Sequence, residues 1–163
     1  MSENKSFFEM SEAIGGHLSR LNWRIGTAES CTGGLVAAAI TDVPGSSVWF
    51  DEGVITYANS SKHRLLGVSE DMLSSYGAVS CQVVEAMARG VLANGAEVSV
   101  ATSGIAGPDG GTSDKPVGTV WMAWGVKELV ETEVVCFEGD RQEVRYAACE
   151  YILRGLLVRL KAL

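Results

Sequence analysis

The sequence predicts an α/β layered domain built on a mixed sheet. Three observations carry this. Strand-like and helix-like segments alternate from residue 22 to residue 95. Two runs rich in β-branched and aromatic residues then flank Lys127-Glu128, the pattern of an antiparallel hairpin. A long helical run closes the chain. With 163 residues, 47% of them hydrophobic, there is material for one domain with a sizeable core, expected over 1–163.

Each element has its own signal. Phe7, Phe8, Ile14 and Leu18 recur among polar residues over 6–20 and predict an amphipathic first helix. "NWRIGTA" (22–28) reads as a short buried strand, and the alanine-rich "LVAAAITD" (35–42) as a helix packed closely on the sheet. Pro44-Gly45 marks a turn before a second strand, "WFDEGVITYA" (49–58). "NSSKHRLLGV" (59–68) reads as a short helix with Asn59 as its expected cap and Gly67 near its end. A further helical piece is expected over 69–77. Ser80 then caps a longer helix over 81–95, with Val84, Met87 and Val91 on one face and Asn94-Gly95 as the stop. "AEVSVATSGIAG" (96–107) holds a third strand that runs into a glycine-rich loop (104–116). Asp140 and Glu143 have the spacing of a capping box and open the last helix.

Composition excludes several function classes. The formal net charge of −7 argues against a general nucleic-acid or anionic-membrane surface. No apolar run reaches the roughly 18 residues that a membrane span needs. The first ten residues lack a basic stretch followed by a long apolar one, so a cytoplasmic protein is expected. Cys31, Cys81, Cys136 and Cys149 form no C-x-x-C pair, and His17 and His63 add no ligand spacing. No metal site is expected.

Chemistry is expected at the carboxyl ends of the strands, where open α/β sheets collect ligands. Three segments should converge there: 27–34, 56–62 and 102–111. The first holds Glu29, Ser30, Cys31 and Thr32 in a row at a strand-to-helix junction. Ser30 there reads either as a nucleophile beside free helix N–H groups or, with Thr32, as a plain helix cap. Lys62 reads either as a general base with a lowered pKa or as a solvated surface lysine. A thiol enzyme using Cys31 and His63 is a third reading. The glycine loop suits a phosphate cradle or a flexible surface segment. Arg141 suits an anion clamp or an ion pair with Glu138 or Asp140.

Taken together, "TAESCTGGLVAAAITDVPGSSVWFDEGVITYANSSK", "YGAVS", "TSGIAGPDGGTSDKPVGTVWMAW" and "GDR" resemble the CinA C-terminal domain family. The likeness runs from about Asn22 to the last helix, and the chain resembles the stand-alone form of a family whose other members carry an extra N-terminal domain. The resemblance implies a three-layer α/β/α sandwich, no cofactor and no metal. It also implies a serine–lysine amidohydrolase that converts nicotinamide mononucleotide into nicotinate mononucleotide and ammonia. On this sequence the serine falls at Ser30, with Ser46 and Ser47 in "PGSS" as competitors, and the lysine at Lys62. The N–H groups near Cys31 or Ser47, with the Tyr57 hydroxyl, are expected to face the oxyanion. Thr102, Ser103, Gly104 and Gly107 are expected to hold ribose or phosphate, with Arg141 as a second phosphate ligand. A non-catalytic pyridine-nucleotide-binding module is the alternative. The last helix is expected to cover the sheet or a partner, a homodimer being one option.

Overall fold

Alternation along the strands decides which side chains meet which helices, and it places the site. The structure is a computed structural model that describes residues 2–163, with side chains from residue 6 onward. Met1, where the expected domain begins, lies outside the described residues. In chain order the elements are α1 (Ser2–Leu21), β1 (Ile25–Glu29), α2 (Leu35–Thr41), β2 (Phe50–Ile55), α3 (Asn59–Leu66), α4 (Glu70–Tyr76), α5 (Cys81–Ala93), β3 (Val98–Gly104), β4 (Thr119–Val126), β5 (Leu129–Cys136) and α6 (Arg141–Lys161). The five strands form one mixed sheet in the order β2-β1-β3-β4-β5. β1 is parallel to both of its neighbours, and the other two pairings are antiparallel. This is the expected mixed sheet, with helices on both faces.

The two faces differ in side-chain size. Ile25, Val98, Val100, Met122 and Trp124 join Ile14 and Leu18 of α1, Ile40 of α2, and Ile152 and Leu156 of α6 in one core. The opposite face is paved with small residues in register: Gly26 pairs Ser99, Ser99 pairs Gly125, Ala28 pairs Ala101 and Ala101 pairs Ala123. Without large side chains beneath it, α5 settles close to the sheet. A β-carbon on Gly26 would stand 2.4 Å from Val91 Cγ1. Val84, Met87 and Val91 are fully buried there, as their spacing predicts. The long helix α6 covers the sheet, with Ile152, Leu156 and Leu160 at most 2% exposed.

Most boundaries match the expectations within a few residues. Ser80 caps α5 by accepting from the Val83 N–H, and Asp140 and Glu143 form both halves of the capping box on α6. Asn59 does not cap α3. It is the first helical residue, and Ala58 at the cap position offers no side-chain bond. The connection order also matters. Strand β1 leads through α2 to β2 on one side, and the chain then crosses to β3 on the other. Outside the carboxyl ends of β1 and β3, this change of direction opens a crevice.

Candidate active site

A cleft of about 290 Å³ occupies this crevice, lined among others by Ser30, Cys31, Tyr57, Lys62, Ser103, Gly107 and Arg141. The three strand-end segments meet here, as expected from their positions. A larger depression of about 640 Å³ adjoins it at Ala106 and Arg141 but reaches neither Ser30 nor Lys62.

Parity along β1 separates two consecutive side chains. Ile25, Thr27 and Glu29 point to the α1/α2/α6 face. Glu29 therefore lies under the start of α2, 1% exposed. Its carboxylate accepts from the N–H groups of Gly34 (3.2 Å), Val36 (2.9 Å) and Ala37 (3.0 Å), and from the Thr32 hydroxyl (2.7 Å). These are the N–H groups that a helix start leaves without intrahelical partners. The cap of α2 is thus Glu29; neither Ser30 nor Thr32 serves as one. Gly34, the formal cap residue, sits at φ 99° and makes no side-chain bond.

Ser30 continues the alternation to the other face. Its N–H donates to the Thr102 carbonyl (3.1 Å), which extends the pairing with β3 by one residue. On that side lies α3, and its Lys62 Nζ stands 3.1 Å from Ser30 Oγ. Lys62 is 1% exposed. Its other contacts are the carbonyls of Thr56 (2.6 Å) and Tyr57 (3.4 Å), to which it donates. Among the described residues no carboxylate pairs with it. Burial lowers its pKa from the ordinary lysine value, and the nearby Cys31 opposes this in part. The solvated-surface reading of Lys62 is therefore incorrect.

Other expected groups fall into place unequally. The Cys31 thiol is 5% exposed and pushed up to about 11, chiefly by burial. A thiol so protonated is a poor nucleophile. His63 turns away from it: Nδ1 lies 2.8 Å from the Val68 carbonyl oxygen, and the ring borders a separate depression between α3 and α4. Among the described residues, no carbonyl accepts from the N–H of Cys31 or of Thr32. Arg141 makes no ion pair with Glu138 or Asp140. It donates from Nη1 to the Gly107 carbonyl and from Nη2 to the Tyr57 hydroxyl, both at 2.8 Å. Ser103 and Gly104 line the cleft, with the Ser103 hydroxyl donating to the Ala78 carbonyl (2.8 Å). Thr102 is fully buried beneath it, bonded through Oγ1 to Thr32 Oγ1 at 2.8 Å.

Ser46 and Ser47 require a correction. They lie in a short 3-10 turn, Ser46–Val48, just before β2 begins. Helix α2 returns the chain from the carboxyl end of β1 to the amino end of β2, a rise of roughly 10 Å over seven residues. Both serines therefore sit at the opposite end of the sheet from Lys62, and neither lines the cleft. The Ser47 N–H is equally remote from it.

Residue reading alone missed Arg145. Its Nε donates to the Cys31 carbonyl (3.0 Å) and its Nη2 to the Thr32 carbonyl (3.1 Å). The available signal was its spacing: Arg141 and Arg145 are four apart and share one face of α6. Asn59, expected only as a cap, and Asp109 also line the cleft. Among the described residues, no group of three or more histidines, cysteines or carboxylates gathers to hold a metal ion.

Comparison with known proteins shows the family and the fold. The profile of the CinA C-terminal domain matches residues 8–160. The nicotinamide-nucleotide amidohydrolase PncC of Enterobacter agglomerans is 55% identical over 159 residues, covering 96% of each chain. The protein of the same name from Pseudomonas putida is 54% identical over 149 residues, covering 91% of this chain and 93% of its own. A crystal structure of the competence damage-inducible protein A (ComA) from Klebsiella pneumoniae subsp. pneumoniae MGH 78578 aligns with a TM-score of 0.92 at 38% identity, covering 95% of this chain and 97% of that one. From its sequence motifs, its sheet order and these matches, the chain belongs to the CinA C-terminal domain family.

Proposed function

We propose that this chain is an amidohydrolase that converts nicotinamide mononucleotide and water into nicotinate mononucleotide and ammonia, with Ser30 as nucleophile and Lys62 as base. The observation that carries the proposal is a buried lysine with no carboxylate partner, 3.1 Å from a serine hydroxyl. The names of the similar amidohydrolases support the substrate. Residues 1–163 act as one domain, in the cytoplasm.

Three acceptors surround Lys62 Nζ, so an ammonium can donate to all of them; the reaction needs the neutral amine, which burial favours. An uncharged lysine has two N–H bonds and one lone pair. The two N–H bonds meet the Thr56 and Tyr57 carbonyls, which leaves the lone pair for the Ser30 hydroxyl. Lys62 takes that proton as Ser30 Oγ bonds to the carboxamide carbon, and the carbonyl electrons move onto oxygen. The Cys31 N–H, which donates to no carbonyl, faces this oxyanion with help from the Tyr57 hydroxyl. One such donor contributes about 3–4 kcal/mol to the transition state. Lys62 then gives its proton to the nitrogen as the C–N bond breaks, and ammonia leaves an acyl-enzyme. Water attacks the ester with Lys62 accepting its proton, and that proton returns to Ser30 as the carboxylate departs. The pyridinium ring withdraws electrons and makes the amide carbon easier to attack. Arg141 retains unused N–H donors beside the glycine loop and holds the phosphate there.

Ammonia release tests the proposal directly. Wild type should deamidate nicotinamide mononucleotide faster than nicotinamide riboside, and folded Ser30→Ala and Lys62→Ala should release none. Mononucleotide binding without turnover by wild type would overturn the enzyme reading in favour of a binding module.

A further inference from the structure

We infer that Arg145 is a positioning residue for the Ser30 turn, holding the carbonyls of Cys31 and Thr32 so that the Thr32 N–H keeps its aim. The inference rests on the reading of Ser30 as the nucleophile. Residues 30–34 join β1 to α2 outside any regular element; the Ser30 N–H still pairs with β3, but no ladder fixes the peptide planes after it. Two charged side chains do so instead. The Glu29 carboxylate gathers the N–H groups of Gly34, Val36 and Ala37 from the α2 side. The Arg145 guanidinium takes the carbonyls of Cys31 and Thr32 from the α6 side. The cation holds the C=O groups at the start of this short run, and the anion holds the N–H groups at its end.

Three features set this apart from an incidental contact. Arg145 is half-buried, and among the described residues no carboxylate pairs with it. Its two bonds go to consecutive carbonyls, which suits a planar guanidinium fork and which a single ammonium cannot match. The contact spans 114 residues, from the turn to α6, so it ties the nucleophile's mount to the longest helix of the fold. A charge-assisted bond to the Cys31 carbonyl also polarises the peptide that carries the Thr32 N–H, making that N–H a stronger donor. The local space is tight as well: a β-carbon on Gly33 would stand 3.2 Å from the Arg145 guanidinium.

The test compares wild type with Arg145→Gln and Arg145→Lys in steady-state kinetics and in amide hydrogen exchange over residues 31–34. Misplacing the turn by about 1 Å should lower kcat roughly 100-fold in Arg145→Gln, with KM little changed. Arg145→Lys keeps the charge and one bond and should recover part of that loss. Exchange over 31–34 should accelerate in both while the melting transition stays cooperative. Unchanged kcat, or a raised KM with kcat intact, would overturn the inference; the latter would make Arg145 a substrate ligand. If Arg145→Gln does not fold, Arg145→Lys is read in the same way. An inactive wild type overturns the amidohydrolase proposal, whereas an active wild type matched by its Arg145 variants overturns only this role.

Discussion

Replacing Glu29 with glutamine should unfold the protein at a markedly lower temperature although the side chain keeps its shape. The carboxylate accepts four hydrogen bonds, three at Oε1 and one at Oε2. Glutamine can keep the three at its carbonyl oxygen, but its amide nitrogen then faces the Ala37 N–H, donor against donor. Each retained bond falls from the charge-assisted to the neutral class, a loss of about 1 kcal/mol apiece, and the orphaned N–H costs about 1–3 kcal/mol. Part of this is offset because a charge no longer has to be buried. A net loss of about 2–4 kcal/mol follows, which for a chain of this size lowers Tm by roughly 5–15 °C. Thermal unfolding followed by circular dichroism measures it, with ammonia release on the same samples at a temperature where both proteins are folded. Because the same cap holds the Ser30 turn, kcat should fall too. A Tm within about 2 °C of wild type would refute the cap, since no set of four lost or weakened bonds is that small. A raised KM at unchanged Tm would instead make Glu29 a substrate ligand.

Other consequences are as specific. The neutral form of Lys62 grows with pH, so kcat/KM should rise along a one-proton limb whose midpoint lies below the ordinary lysine value near 10.5. Between that midpoint and 10.5 the unfolded chain binds the proton that the native state lacks. Stability contributed by this residue therefore rises with pH, and Lys62→Met should remove that slope from chemical denaturation curves while abolishing activity. The buried thiols act with the opposite sign. Cys31 and Cys149, pushed up from 9.0 to about 11 and about 12, keep protons that the unfolded chain has released, so stability should fall as pH rises above 9. Ser47→Ala should remain active and Ser30→Ala should not; the reverse outcome would require the sheet ends to be assigned wrongly. Gly155→Ala on α6 should destabilise by about 1–3 kcal/mol despite the better helix propensity of alanine. Its β-carbon would lie 2.6 Å from the fully buried Trp124 ring, and urea denaturation reads the difference.

What the sequence discloses and what it hides can be argued from these residues. Strands, helices and the hairpin were legible because each has a local signal: alternation, a capping box, a pair of turn residues. Parity along β1 assigns Ser30 to the α3 side only once the end of the strand is known. Ser46 and Ser47 entered through the resemblance, as the other serines of a matching stretch, and only the return path of α2 shows that they lie at the wrong end of the sheet. The cap of α2 was illegible for another reason. Caps are normally read from the residue just before the helix, whereas Glu29 reaches back from the strand, five to eight residues before the N–H groups it satisfies. Arg145 was hidden by distance, since its partners lie more than 110 residues away.

The arrangement at β1 resolves a conflict of chemistry. A serine at a helix entrance is ordinarily drawn into capping, and a hydroxyl committed to a backbone N–H is badly placed to attack anything. Here two neighbours on a strand face opposite ways. Glu29, on the α2 side, satisfies the helix entrance with a charge that a serine lacks. Ser30, on the α3 side, is left with Lys62 as its side-chain partner. Moving the cap by one residue would turn the carboxylate toward the amine and the hydroxyl toward the helix. Lys62 would then be held charged by an ion pair instead of being lowered by burial, and its lone pair would be lost to proton transfer. On the proposed mechanism, the order Glu-Ser at the end of β1 is as much a part of the chemistry as the two residue types, and a Ser-Glu inversion should cost activity even where the helix still forms.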